Sequence, residues 1–200
     1  NSLEKEWQVL SDVKVALEND EFTFYAQPQY DITTRKIVGA EALVRWIHYG
    51  KLISPGIFVP VLEKNQSITA LDQAVWTKVA AWLQSWIRKG YRPVPISINI
   101  SRLDILTIDV PAFLTELTDT YQVPRKYIKC EITESAYVED GQRVNDTVKQ
   151  LQNAGFQVMM DDFGSGYSSL NTLKSMDVDV LKIDMCFLEM GIEEEHRGIG

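Results

Sequence analysis

Residues 156–170 read FQVMMDDFGSGYSSL, and this stretch decides the fold because an apolar run, two adjacent aspartates and a glycine-rich loop follow one another directly. A largely apolar run such as Phe156 to Met160, which only Gln157 interrupts, is typical of a strand that is buried on both faces. Asp161 and Asp162 end this run, and buried unpaired carboxylates cost several kcal/mol unless something compensates them. A divalent cation is the usual compensation, although the pattern taken alone is also typical of a solvated turn. The stretch predicts a buried strand that delivers carboxylates to a candidate cation site.

Composition restricts the classes of protein to which the chain can belong. Its 200 residues are 45% hydrophobic, which is enough for one domain with a sizeable core. A formal net charge of −8 argues against nonspecific binding to polynucleotides or anionic lipid, whereas a small phosphate ligand held through metal ions remains compatible. Cys130 and Cys186 lie in strand-like contexts that predict reduced core thiols and a cytoplasmic protein. No apolar run approaches the roughly 18 residues of a membrane span, so we expect no direct membrane insertion.

Strands and helices alternate along most of the chain. The patterns predict six strands, over residues 22–27, 36–46, 94–100, 127–132, 156–160 and 178–183. They predict helices over residues 3–17, 55–65, 71–89, 111–121, 141–153 and 169–176. Helices between strands indicate parallel pairing through right-handed crossovers. At this level an open doubly wound sheet and a βα barrel fit equally well.

Polar side chains near the ends of the predicted strands favour the barrel. Five successive strands each carry one such residue: Glu41, Asn99, Glu131, Asp161 and Lys182. Each alone also fits a helix cap or a surface ion pair, but in a barrel these strand ends converge on the face where chemistry occurs. The four oxygen-bearing side chains, with Asp162 beside them, suit Mg²⁺ or Mn²⁺, and the absence of Cys or His from the set disfavours zinc.

Six short strings occur together in an order that is specific to one family. They are Gln27-Pro28, EALVRW at 41–46, SINIS at 97–101, EITE at 131–134, DDFGSGYSSL at 161–170 and LKID at 181–184. From about Glu21 to Met190 the chain closely resembles the EAL domain family of bacterial cyclic di-GMP phosphodiesterases. The resemblance implies an α/β fold, a TIM-type (β/α)₈ barrel whose first strand runs antiparallel to the others.

The resemblance also implies an activity and a set of site residues. The activity is hydrolysis of one phosphodiester bond of cyclic di-GMP to linear pGpG, with two metal ions, Mg²⁺ or Mn²⁺, that activate water and neutralise charge on the leaving oxygen. The implied metal ligands are Glu41, Asn99, Glu131, Asp161 and Asp162. The implied catalytic residues are Glu41, Asp162, Lys182, which orients the water or stabilises developing charge, and Glu134, which acts indirectly by steadying the loop over 162–169. The implied ligand-binding residues are Gln27, Leu43 and Arg45, whose planar guanidinium suits phosphate.

The chain departs from the family pattern in its length. A complete barrel usually needs about 250 residues, and this sequence stops after the sixth predicted strand. The glutamate after strand seven and the glutamine near strand eight, which serve the active site in the family, have no counterpart here. Three explanations fit this length: the chain has been cut short, its remaining residues exist but are not part of this sequence, or a partner chain completes the barrel. We expect residues 1–20 to form an N-terminal linker helix and residues 21–200 an incomplete EAL domain.

Three functions remain open at this point. The leading one is the cyclic di-GMP phosphodiesterase, the second is a catalytically inactive cyclic di-GMP receptor, and the third is a dimerising regulatory module. We expect a homodimer and an additional signalling domain in the full-length protein, which other segments could tether to a membrane.

Overall fold

A mixed β-sheet forms the centre of the protein in its computed structural model, which describes residues 2–164 and 177–185. The strands are β1 (Phe22–Asp31), β2 (Lys36–His48), β3 (Lys51–Ile53), β4 (Ile96–Ile100), β5 (Ile128–Thr133), β6 (Gln157–Phe163) and β7 (Val180–Ile183). Their order is β1-β2-β4-β5-β6-β7, with β3 paired to β2. Strand β1 is antiparallel to β2, and β2, β4, β5, β6 and β7 run parallel. The predicted antiparallel first strand is confirmed, and within the described residues the sheet is open, with β1 and β7 as its edges.

The described helices include those that connect β2 to β4, β4 to β5 and β5 to β6, as predicted. They are α1 (Ser2–Glu18), α2 (Pro55–Lys64), α3 (Ile68–Arg88), α4 (Arg102–Thr107), α5 (Val110–Thr120) and α6 (Glu134–Asn153), with a 3₁₀ turn at Arg125–Tyr127. Pro55 follows Ser54 and occupies the first helical position of α2, where its missing N–H costs no hydrogen bond. The helix predicted over 169–176 lies outside the described residues. The linker role predicted for α1 stays a prediction.

Besides the 3₁₀ turn, the sequence prediction missed two short elements, a strand and a helix. Strand β3 returns along β2 through a two-residue turn in which Tyr49 and Gly50 both have positive φ, the geometry that matches the twist of a hairpin. Helix α4 begins with a capping box, in which Asp104 N–H donates to Ser101 Oγ and Ser101 N–H donates to Asp104 Oδ2. Both elements are too short to produce the periodicity on which the prediction relied.

The predicted start of α6 at Gly141 is wrong by seven residues. The helix begins at Glu134, where the Thr133 hydroxyl caps it by accepting the N–H of Ala136. Asp140 has non-helical φ and ψ of −137° and 43°, which places a kink immediately before Gly141. The prediction therefore mistook a kink inside the helix for its beginning.

The two faces of the central strands differ in chemistry. One face buries apolar side chains among the hydrophobic core: Ile96, Ile98, Ile100, Ile128, Cys130, Ile132, Val158 and Met160. The alternate positions form the other face, and register places Asn99 beside Glu131 and Glu131 beside Met159. Asp161 is two residues beyond Met159 and so shares that face. Alternation and register thus collect polar side chains from several strands on one surface of the sheet.

The structure also describes the hydrophobicity of the helices, one of the two cysteines and the environment of Trp46. Within residues 2–164 and 177–185, no helix combines the length and apolar character needed to cross a membrane. Cys130 is a free, buried cysteine, and desolvation raises the pKa of its thiol. Cys186 lies outside the described residues. Trp46 packs in the core against Phe22 and Phe58, with ring centroids 5.4 and 5.5 Å away, as expected for a structural tryptophan.

Candidate metal centre

Three carboxylates from three different strands meet on the polar face of the sheet. Glu41, Glu131 and Asp161 each offer one oxygen, and these oxygens lie within 4.8 Å of one another. Lys182 from β7 joins them, with its Nζ 3.1 Å from Glu41 Oε2, 2.8 Å from Glu131 Oε2 and 3.0 Å from Asp161 Oδ1. Four of the five residues predicted to converge are therefore in one cluster.

Asn99, the fifth of these residues, lies at the border of the cluster. Its side chain is exposed, and Nδ2 lies 3.4 Å from Glu41 Oε1. This orientation turns the amide nitrogen toward a carboxylate and leaves the amide oxygen available to a ligand.

Burial and opposite charge act against each other within the cluster. Burial raises the pKa of Glu131, and the hydrogen bond from Lys182 opposes that rise. Burial lowers the pKa of Lys182, but the hydrogen bonds and negative charges of Glu131, Asp161 and Glu41 outweigh it and raise this pKa above its ordinary value. Lys182 is therefore a charged ammonium that neutralises part of the carboxylate charge.

The donor set fits a hard divalent cation. Glu131 Oε2 accepts a hydrogen bond from Lys182 Nζ. Glu131 Oε1 is buried and has no hydrogen-bond partner among the described residues, since the nearby Ser97 hydroxyl, which lowers the pKa of Glu131, donates to Ala40 O at 3.3 Å. A buried carboxylate oxygen without a partner is costly, and a cation would compensate it. Carboxylate and amide oxygens are the ligands that Mg²⁺ and Mn²⁺ prefer.

Glu41 does not stand at a strand end, which corrects the sequence interpretation. It lies inside the 13-residue strand β2, which continues to His48. Parallel pairing between β2 and β4 covers Ala40 with Ile96 and Glu41 with Ser97. Glu41 therefore marks where the parallel contact ends, a boundary that sequence cannot reveal because both strands continue beyond it.

Asp162 is outside the group formed by Glu41, Glu131 and Asp161. Its backbone is left-handed, with φ of 56°, and the pairing of β6 with β7 shifts register between Met160 and Phe163. Such an irregularity re-aims the side chain from its usual alternation. Asp162 is exposed, and desolvation followed by the charges of Asp161 and Asp184 raises its pKa.

Glu134 holds the start of the loop that follows β6. It is 3% exposed at the first position of α6, and its Oε2 accepts the N–H of Gly164 at 2.7 Å. The remainder of the loop, residues 165–169, lies outside the described residues.

A cleft of about 580 Å³ opens beside the cluster, where β2 and β4 separate. Leu43 and Arg45 line it from β2, and Asn99 lines it from β4. The guanidinium of Arg45 lies 5.0 Å from the centre of the Tyr25 ring, and its Nη1 donates to Val44 O at 2.8 Å. Gln27 is exposed on β1 directly opposite Glu41, and it is not among the residues that line the cleft.

Sequence reasoning missed a second group of carboxyls at this cleft. Glu63 and Asp72 line it, and Asp104 is fully buried in the capping box of α4. Burial, then the charge of Asp104 and a hydrogen bond with it, raises the pKa of Asp72 well above its ordinary value. Burial also raises the pKa of Glu63. The pattern Ser101-x-x-Asp104 is a capping-box motif that could have revealed Asp104, but it says nothing of Asp72.

Comparison with known proteins gives a consistent result. The model of the EAL domain matches residues 10–199. The probable cyclic di-GMP phosphodiesterase PdeB of Escherichia coli K12 is 33% identical over 175 residues, which is 87% of this chain and 34% of PdeB. The bifunctional diguanylate cyclase/cyclic di-GMP phosphodiesterase MucR of Pseudomonas aeruginosa is 30% identical over 187 residues, 92% of this chain and 27% of MucR.

A solved structure extends the comparison to three dimensions. The structure titled as the PaMucR phosphodiesterase in complex with c-di-GMP superposes with a TM-score of 0.83 at 29% identity, and covers 94% of this chain and 77% of its own. By sequence, the chain spans about a third of the length of PdeB and about a quarter of the length of MucR.

Proposed function

The chain belongs to the EAL domain family, and we propose that it is a metal-dependent phosphodiesterase that hydrolyses cyclic di-GMP to linear pGpG in bacterial signalling. One observation carries the proposal. Carboxylates from β2, β5 and β6 gather within 4.8 Å beside a cleft of about 580 Å³, and Glu131 contributes a buried oxygen that has no partner among the described residues. Relatives named for this activity, and one solved with this nucleotide, support the substrate.

The metal-holding residues of the proposed site are the oxygen donors of the cluster. Glu41, Asn99, Glu131 and Asp161 would hold Mg²⁺ or Mn²⁺, with Asp162 beside them for a second ion. When bound, the cations supply Lewis-acid activation of water and neutralise charge at the phosphate.

The other residues of the site bind, orient or support. Lys182 keeps its ammonium among the carboxylates and can orient water or stabilise negative charge at the phosphate. Arg45 offers two parallel donors to a phosphate from the cleft wall, and Leu43 provides an apolar surface for the nucleotide. Gln27 is proposed to contact the nucleotide from β1, opposite Glu41. Glu134 supports the loop after β6 through Gly164.

The inactive-receptor alternative is less well supported. A receptor has no need for a complete acidic cluster, and here Glu41, Asp161 and Asp162 are all present. We propose that the chain works within a larger signalling protein, since it spans 27% to 34% of two curated relatives. Homodimer formation and a cytoplasmic location stay predictions.

Two measurements on one sample test the proposal. Calorimetric titration with cyclic di-GMP, with Mn²⁺ and with a chelator, is run beside chromatographic detection of pGpG. Metal-dependent formation of pGpG is the expected result. Tight binding without turnover would establish the receptor alternative instead, and neither binding nor turnover would leave only the regulatory module.

A further inference from the structure

Asn99 differs from the acidic members of the cluster in how its side chain is held. Lys182 ties Glu41, Glu131 and Asp161 together at 2.8 to 3.1 Å. The Asn99 side chain makes a longer contact, 3.4 Å from its Nδ2 to Glu41 Oε1, and that side chain is exposed. The direction of its amide oxygen therefore depends on how firmly the Asn99 backbone is held.

The backbone at Asn99 lies where the sheet divides. Strand β4 pairs with β5 along its whole length, from Ile96 to Ile100. On its other side, pairing with β2 ends at Ser97. Ala40 N–H donates to Pro95 O at 2.9 Å, so the carbonyl of Pro95 points toward β2. Because backbone groups alternate in direction along a strand, the Asn99 carbonyl points to the same side, where β2 no longer follows and the cleft opens.

Trp76 supplies the hydrogen-bond donor that β2 does not provide, because β2 is no longer paired with β4 at Asn99. Its indole Nε1 donates to Asn99 O at 3.0 Å. Trp76 is 1% exposed on the buried face of α3, and its ring lies 5.6 Å from that of Phe113. An indole N–H can only donate and needs an acceptor when it is buried, and the rigid ring fixes where that acceptor must be. The contact thus gives the buried indole N–H its acceptor and the Asn99 carbonyl its donor.

The segment after Asn99 is anchored as well. Two residues later, Ser101 and Asp104 form the reciprocal capping box of α4. Trp76 and this capping box therefore hold the backbone on both sides of Ile100, which is itself buried.

We propose that Trp76 is a positioning residue that aims Asn99 at the metal site through its hydrogen bond to the Asn99 carbonyl. The inference rests on the proposed metal-dependent function and adds a residue from α3, outside all the motif strings, to that site. With this hydrogen bond, β2 and β4 can separate and form the cleft while the backbone of Asn99, the proposed metal ligand between the cluster and the cleft, stays fixed.

The test measures Mn²⁺ binding directly, by electron paramagnetic resonance of the free ion, in the full-length protein. W76F keeps an aromatic ring and removes the N–H donor. Replacement of Trp76 by 3-benzothienylalanine keeps the two-ring shape and also removes the donor. Loss of a supporting partner commonly weakens metal binding about tenfold or more, so we expect the dissociation constant for Mn²⁺ to rise about tenfold in both variants. Hydrolysis should fall at limiting Mn²⁺ and recover at saturating Mn²⁺.

The matched control is W82F, which changes a partly buried tryptophan of the same helix whose ring packs on Phe24 and Trp86. It should bind Mn²⁺ as wild type does. Wild-type affinity in the benzothienylalanine protein would overturn the positioning role, whatever W76F does, and would leave the proposed function standing. A wild-type protein that binds no Mn²⁺ would instead overturn the proposed metal site and this inference together.

Discussion

Two groups of crowded carboxyls lie near the segment from Asn99 to Asp104, and their charge is relieved in different ways. In the cluster of Glu41, Glu131 and Asp161, the ammonium of Lys182 lies within 3.1 Å of all three. In the pair formed by Asp72 and Asp104, burial and the neighbouring carboxyl raise the pKa of Asp72 well above its ordinary value, which favours relief by a proton.

The difference separates a ligand site from a structural contact. A cluster that keeps net negative charge and an unpartnered oxygen, Glu131 Oε1, attracts a divalent cation. A carboxyl whose pKa is raised by a buried neighbouring carboxyl favours a proton over a cation, and the contact of Asp72 with Asp104 joins α3 to α4. Amino-acid type alone does not distinguish the two groups, whereas the compensating group does.

The largest expected effect comes from removing a charge of the first group. E41Q and D161N keep side-chain shape and remove a proposed metal ligand. Loss of a mere supporting partner costs about 10- to 100-fold, so loss of a ligand should lower kcat/KM by at least about 100-fold, measured by pGpG formation. E116Q, which changes an exposed glutamate of α5, is the control. Hydrolysis at the wild-type rate in either variant would contradict the assignment.

Replacing the compensating ammonium should separate catalysis from metal binding. K182M is expected to lose hydrolysis by about 100-fold, as for other groups that stabilise developing charge, and to bind Mn²⁺ at least as tightly, since no ammonium repels the ion. With a chelator present we expect K182M to unfold more easily, by roughly 2 kcal/mol, less than the about 3–5 kcal/mol of a fully buried pair, because the Lys182 side chain is 26% exposed. Added Mn²⁺ should restore stability.

K149M is the matched control for this variant, since Lys149 is exposed and its nitrogen lies 3.8 Å from Asp177. It should change neither hydrolysis nor stability measurably. Loss of Mn²⁺ binding in K182M would show that the lysine organises the carboxylates rather than compensating them.

The first group could be predicted from the sequence and the second could not. Glu131 and Asp161 interrupt or end apolar strands, and a polar residue in such a run is visible in one dimension. Asp72 lies in an amphipathic helix where an acid is unremarkable, and its partner Asp104 is 32 positions away. The hydrogen bond of Trp76 to Asn99 is hidden for the same reason, since helical periodicity assigns that tryptophan to the core and names no acceptor. Contacts between residues of different helices and strands depend on how those elements pack, so they produce no local sequence pattern.

The charge of Glu134 is compensated in a third way, by the backbone N–H of Gly164. We expect its replacement to have an effect smaller than that of the cluster variants and larger than that of the Asp72 variants. E134Q replaces a charged acceptor of the Gly164 N–H with a neutral one. E134D keeps the charge, but its side chain is one methylene shorter, so the carboxylate lies farther from Gly164. Charge-assisted hydrogen bonds are roughly twice as strong as neutral ones. We expect kcat to fall about tenfold in both variants while Mn²⁺ affinity stays unchanged. Wild-type kcat in E134D would show that the contact to Gly164 does not support turnover.

The smallest expected effect concerns the shared proton and appears as a dependence of stability on pH. The folded-state pKa of Asp72 is raised above its unfolded value, so its favourable contribution is complete below the unfolded pKa and is lost as pH rises through the folded pKa. Asp104 Oδ1 is buried with no donor other than Asp72 among the described residues, and a hydrogen bond between the two carboxyls requires a proton, which we expect on Asp72. The amide of D72N donates at every pH, whereas D72A cannot donate at all.

D72N should therefore be more stable than wild type at about pH 8, by about 1 kcal/mol for one hydrogen bond, or roughly 2–4 °C in Tm for a domain of this size. The advantage should shrink as pH falls through the raised folded-state pKa of Asp72, where the wild-type side chain takes up its proton. Ser101 and Glu63 also act on the pKa of Asp72, Ser101 lowering it and Glu63 raising it, and both are present in wild type and variant alike. Their effects therefore largely cancel when the two proteins are compared at each pH. A Tm difference that stays constant at every pH at which the protein folds would contradict proton binding by folded Asp72, and with it the proposed contrast with the metal cluster.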